Sequence, residues 1–218
     1  HDADEPSDLT DENGAYSLVD TAFAPAVYTI VVKMTADTVD TISGESYADT
    51  GVVLKGSSAG TVVTPLTTIL EAANVSNPEF TAADLGLAMG LPVGVDIATY
   101  NPFAADADAA TAHAVETVFQ QVMTATLLVA EAIQGVGAIA GVELSSPQAS
   151  AAALTALTNM VVASVGEVDL ADSAQVATLQ TFAKTELAAQ NIVVSDAVAD
   201  FILDKASATL TTVAAAFD

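Results

Sequence analysis

The chain contains no cysteine, no tryptophan and no arginine. The first absence excludes disulfides and thiolate metal sites. The second, with aromatic residues at only 5 %, means that any core is assembled from Ala, Val, Leu and Ile. Such side chains each remove little apolar area from water, so stability has to come from many small contacts. The third leaves four lysines against 28 Asp and Glu, a formal net charge of −24. A surface of that sign repels nucleic acid phosphates and anionic lipid headgroups, which argues against nucleic acid and a membrane surface as partners. It also repels itself, and salt or bound divalent cations relieve the repulsion. The composition therefore suits an extracellular or cell-surface medium that is saline or contains calcium, although cytosolic proteins of halophiles are acidic too. His1 follows no initiator Met and no basic, apolar leader, so the expectation is a mature product or part of a longer chain.

Long apolar runs are also scarce. The most apolar, Val122 to Ala140, is interrupted by Glu131 and Gln134 and has no basic flank. It reads as a buried helix, without membrane insertion.

What is present is a composition that can bury a core: 52 % of the 218 residues are hydrophobic. Its character changes near residue 64. Before it, "AYSLVD", "AVYTIVVKMT", "GVVLK" and "TVVT" are short runs of strand formers between turn residues. After it, Ala dominates and apolar residues recur at three- and four-residue steps, as in Val115, Val118, Phe119, Val122, Val129, Ile133 and Val136. Helix starts are marked by Thr64-Pro65, by Thr81 with Asp84, by Asp106 or Asp108, by Ser146-Pro147, by Asp172 or Ser173 and by Ser195 or Asp196. The expected fold class is α+β: a small, incomplete β domain over residues 1–63, then an α-helical bundle over 64–218 with three long helices and about two short ones. About 60 residues are few for a complete β-sandwich, which takes ~100. The sheet then packs on the bundle or leaves an open edge that accepts another strand.

The opening "HDADEPSDLTDENGAY" is the densest cluster of candidate ligands. Asp2, Asp4, Glu5, Asp8, Asp11 and Asn13 are the candidate Ca2+ ligands, because six acids within twelve residues, these five and Glu12, repel unless neutralised. It is not a complete EF-hand: with Gly14 at the sixth loop position, Leu9 falls on a required ligand position and Asp20 on the twelfth. In a second frame Glu5 is the twelfth position and Asp2 the ninth of a loop beginning before His1. The alternative is a solvated acidic turn in which Asn13-Gly14 leads into a strand. Asp37, Asp40, Glu45 and Asp49 form a weaker second calcium candidate.

Other motifs fail on context. "GSSAG" matches G-x-S-x-G with Ser58 as nucleophile, but Pro65 and the β-branched run before it leave no helix to follow. "GVGAIAG" ends a helical run where a dinucleotide fingerprint has to open one. His113 and Glu116 share a helix face, but one His with loose carboxylates is a weak metal motif. No carboxylate pair stands out for acid/base work, so no enzyme is expected and no catalytic residue is assigned.

Asp2, Asp4 and Glu5, then Thr10, Asp11, Asn13, Gly14, Tyr16 and Leu18, then Tyr28, Ile30 and Val32 follow an order of residues that resembles the last part of the prealbumin-like repeat modules (SD-repeat B-type) of bacterial surface proteins. The resemblance spans residues 1–35 and lacks the first strands of the module. The Ala-rich part, with "TPLTTIL" and "LGLAMGLPVGVDIATYNPFA", is similar to segments of large acidic secreted proteins of marine bacteria. The resemblance implies a cell-surface or extracellular setting, calcium-assisted folding, and structural or adhesive work with self-association or other surface proteins as partners. One alternative is a ligand-binding or enzymatic site between the β part and the helices, gathering groups such as Tyr47, Tyr100, Asn101 and His113. Another is an inert spacer in a giant adhesin.

Overall fold

The computed structural model describes residues 6–18, 27–40, 44 and 46–217. Two strands, β1 (Thr29–Lys33) and β2 (Val53–Ser57), precede six helices: α1 (Pro65–Ser76), α2 (Ala82–Ala88), α3 (Ala109–Ile139), α4 (Ser146–Ala163), α5 (Ser173–Ala189) and α6 (Asp196–Ala214). The chain is α+β, with a small β part followed by a helical bundle. Four of its helices are long, 31, 18, 17 and 19 residues, where the sequence pattern predicts three. Among the described residues the strands are fewer than expected. Ala15 to Leu18 forms none, and neither does Thr61 to Thr64, whose Thr61 and Val62 amides bond instead to the Ala98 carbonyl at 2.8 and 3.3 Å. The candidate strand "AVYTIVVKMT" narrows to Thr29–Lys33.

The helix starts follow from local chemistry. Thr64 caps α1 and Pro65 opens it; the Thr67 amide donates to Thr64 Oγ1 at 3.1 Å and the Thr64 amide to Thr67 Oγ1 at 2.8 Å. At α2 the Thr81 and Asp84 side chains exchange the same pair of bonds. Asp108 and Asp172 accept amides of the first turns of α3 and α5. Each such cap is worth about 1 kcal/mol.

α3 packs on α4, α4 on α5, α5 on α6, and α6 returns to α3, closing a four-helix ring on which α1 rests. The ring is two helical hairpins with matching loops. In one, α3 ends at Gly141 (φ 75°) with the Val142 amide donating to the Gly137 carbonyl at 2.9 Å; in the other, α5 ends at Asn191 (φ 58°) with the Ile192 amide donating to Leu187 at 2.9 Å. Both are left-handed helix ends followed by an apolar residue and, at Ser145 and Ser195, the next N-cap.

The core is aliphatic and fine-grained, as the composition requires. Val122, Ile133 and Val136 of α3 and Ala149, Ala156 and Leu157 of α4 are buried. α3 is long and apolar enough to cross a membrane by length and composition, and half of its most apolar window is buried within the bundle. Ala at the contacts lets helix backbones approach closely, which offsets the small area that each side chain covers.

Candidate functional site

The acidic opening is a hydrogen-bonded turn where it is described. Asp8 accepts the Leu9 amide at 2.9 Å and the Ser17 amide at 2.7 Å on its two carboxylate oxygens. Asp11 Oδ1 accepts the amides of Asn13 and Ala15 at 2.8 and 2.9 Å, and the Asp11 carbonyl accepts Gly14 N–H at 3.0 Å. Asp8, Asp11 and Asn13 are all solvent-exposed. Asp2, Asp4 and Glu5 lie outside the described residues. Ca2+ takes 6–8 oxygens, and among the described residues no three His, Asp or Glu side chains come together in a way that holds a metal ion. That covers Asp37, Asp40 and Asp49 of the second candidate; Glu45 lies outside the described residues. A calcium ion at the opening would therefore need Asp2, Asp4 or Glu5 beside Asp8 and Asp11.

Ser58 follows β2 and serves the ribbon. Its Oγ accepts the Tyr28 amide at 2.9 Å and its own amide donates to the Tyr28 carbonyl at 2.8 Å. The next helix begins seven residues on, at Pro65, so the strand–turn–helix of a nucleophile elbow is not formed. Gly137 of "GVGAIAG" lies inside α3, where an added Cβ would stand 2.8 Å from the Val142 carbonyl. The glycine lets the hairpin loop pass, a packing role. His113 is exposed on the first turns of α3.

Tyr47, Tyr100, Asn101 and His113 line neither of the two clefts that the fold forms most clearly. The Tyr100 hydroxyl is buried and has no hydrogen-bond partner among the described residues. One cleft, about 410 Å³, sits at the α4–α5 turn around Met160, Glu167 and Gln175. The other, about 290 Å³, does lie between the β part and the helices, lined by Ser46, Asp49 and Thr50 on one side and by Glu131, Gln134, Ser146 and Ser150 on the other. Ser150 Oγ donates to the Thr50 carbonyl at 2.7 Å and fixes the loop on α4. Gly51 (φ 67°) fits directly against Ser146 and Pro147. Asp49 and Glu131 give this cleft a negative lining suited to a cationic group.

The two-stranded ribbon has edges of different character. β1 and β2 pair antiparallel, Thr29 with Ser57 through Lys33 with Val53. On the far side of β2, the Lys55 amide donates to Thr68 Oγ1 at 2.8 Å and the Lys55 carbonyl accepts Thr67 Oγ1 at 2.7 Å. The first turn of α1 thus satisfies that edge as a third strand would. Since Lys55 points both groups away from β1, its partner Val31 does the same in the opposite direction, by the alternation of an antiparallel ladder. Thr29, Val31 and Lys33 therefore present their amides and carbonyls on the outer edge of β1, and no described residue pairs with them.

Glu131, Thr67 and Thr68 carry no local signal of these roles; each acquires its role from a segment 12 or more positions away. Comparison of the chain with protein-family models, with curated proteins and with solved structures finds no match.

Proposed function

We propose that the chain is a structural or adhesive protein of the cell surface or extracellular space, supported by calcium, that associates through the open edge of its sheet. The observation that carries this reading is the asymmetry of the ribbon: α1 satisfies the β2 edge with two threonine hydroxyls, and among the described residues nothing pairs with the β1 edge. An unpaired edge is a template for strand addition. Calcium enters through charge. At −24 the chain gains stability from any cation that binds only the folded state. The ligands proposed for it are Asp2, Asp4, Glu5, Asp8, Asp11 and Asn13. The resemblance of residues 1–35 to surface-protein modules points the same way, and no catalytic role is proposed.

The test is size-exclusion chromatography with light scattering, together with thermal melting, in Ca2+ and in EDTA. Association above the monomer mass and a melting temperature raised by Ca2+ are expected; Ca2+ at a hundred times its dissociation constant adds about 2.7 kcal/mol. A monomer whose melting is indifferent to EDTA sinks the reading.

A second reading, binding of a small cationic ligand, is favoured by the cleft between Asp49 and Glu131. Calorimetric titration with a diamine, repeated on Glu131→Gln, tests it.

A further inference from the structure

The β1 edge, unpaired among the described residues, is complementary to itself. Its three outward-facing residues, Thr29, Val31 and Lys33, are spaced by two, so an antiparallel pairing centred on Val31 puts Val31 opposite the Val31 of a second copy and Lys33 opposite Thr29, twice over. No like charges then stand opposite one another. Thr29 is also where α1 brings a carboxylate, because Thr29 Oγ1 donates to Glu71 Oε2 at 3.0 Å. In that register the lysine of each copy meets the Thr29–Glu71 pair of the other.

Charge favours this face. In a chain of net charge −24, the ribbon segments 27–33 and 53–58 contain two of the four lysines, Lys33 and Lys55, and no acid. Two copies that meet here avoid opposing their acidic surfaces. Apolar area is available as well: Val27 is 71 % exposed, Tyr28 38 % and Val31 47 %.

We propose that β1 pairs antiparallel with β1 of a second copy about a two-fold axis at Val31, joining two ribbons into one four-stranded sheet. This rests on the reading of the chain as an associating surface protein and makes it narrower. A two-fold contact is self-complementary and closes at the dimer, whereas a head-to-tail strand exchange leads to a polymer.

The experiment uses the absence of cysteine. Val31→Cys in the full chain, oxidised in salt and Ca2+, is expected to give a disulfide-linked dimer on a non-reducing gel, with Val39→Cys as an exposed control that gives none. For the native contact, Lys33→Glu is expected to weaken dimerisation at least about tenfold by placing like charges across the interface. The double variant Lys33→Glu with Glu71→Lys, which restores opposite charges, is expected to recover it. These charge variants leave the backbone unchanged, and an unaltered helical circular dichroism spectrum confirms folding. Association that persists in Lys33→Glu with no Val31→Cys crosslink overturns the β1 contact and leaves the associating reading standing. A strict monomer for the native chain in salt and Ca2+ overturns both.

Discussion

The hydroxyl of Thr67 lies 2.7 Å from the carbonyl oxygen of Lys55, the shorter of its two acceptor distances, and so joins the first turn of α1 to the outer edge of β2. Thr68 completes the pair by accepting the Lys55 amide. Replacing either threonine with valine keeps the shape and leaves a backbone group unpaired. Each substitution is expected to cost about 1–3 kcal/mol in urea unfolding. The double variant is expected to cost less than the sum, since both hydroxyls serve Lys55. Faster hydrogen exchange at the Lys55 amide in Thr68→Val is the site-specific readout.

Gly51→Ala tests how the β part sits on the bundle. The position has φ 67°, and a Cβ there would overlap the backbone of Ser146 and Pro147 at the start of α4. Left-handed strain of about 1–2 kcal/mol adds to overpacking of about 1–3 kcal/mol. A loss of about 2–5 kcal/mol is expected, measured by thermal unfolding, with the cleft beside Ser150 displaced.

The matching hairpin ends predict opposite effects. Asn191 holds a left-handed conformation that glycine adopts without a Cβ penalty, so Asn191→Gly is expected to stabilise by up to about 1 kcal/mol. At Gly141 the reverse change to Ala is expected to cost about 1–2 kcal/mol. Paired denaturation curves check both.

Ile133, in the second half of α3, is fully buried. Ile133→Ala is expected to cost about 2–5 kcal/mol, through the apolar burial lost and the cavity left behind. A lower urea midpoint with an unchanged slope is the signature.

Stability is expected to rise on mild acidification from neutral pH and to fall again in strong acid. Burial holds the Glu186 carboxyl above the ordinary range, so the folded state takes up a proton before the unfolded chain does and gains as pH falls; easing of the general repulsion acts in the same sense. Hydrogen bonds from Thr81 and Thr111 hold Asp84 and Asp108 below that range. Their contribution is present above the unfolded value of about 3.9 and lost as pH drops through the folded one. At the alkaline end, the bond to Asp200 raises Lys184, whose contribution is full below about 10.4 and lost beyond the folded value. Melting temperature against pH reads all three; a maximum at neutral pH would contradict the argument.

The helical part was legible because its punctuation is local. Thr64-Pro65, Thr81 with Asp84, and Asp108 all mark starts through bonds reaching three residues along the chain. The β part was legible only as a tendency. Thr61 and Val62 are β-formers, but they spend their amides on Ala98, and Gly60 fits against the same carbonyl. No pattern around residue 61 announces a partner at residue 98. The cleft was hidden for the same reason, since Asp49 and Glu131 line it from positions far apart along the chain. The acidic turn was half legible: Asp11 and Asn13-Gly14 form the turn their types favour, and the carboxylates accept amides that a metal-centred reading leaves out.

The four lysines all lie within regular elements: Lys33 and Lys55 in the paired strands, Lys184 and Lys205 inside α5 and α6. Arginine is absent. Proteases that cut after basic residues need an extended, unpaired segment to enter their active sites; the loops of this chain offer them no basic residue, and only Lys33 lies on a strand edge that no described residue pairs. Cleavage by trypsin-like enzymes at Lys55, Lys184 or Lys205 therefore reports unfolding of those elements rather than loop motion, and Lys33, at the end of the β1 edge, is the site such enzymes are expected to reach first.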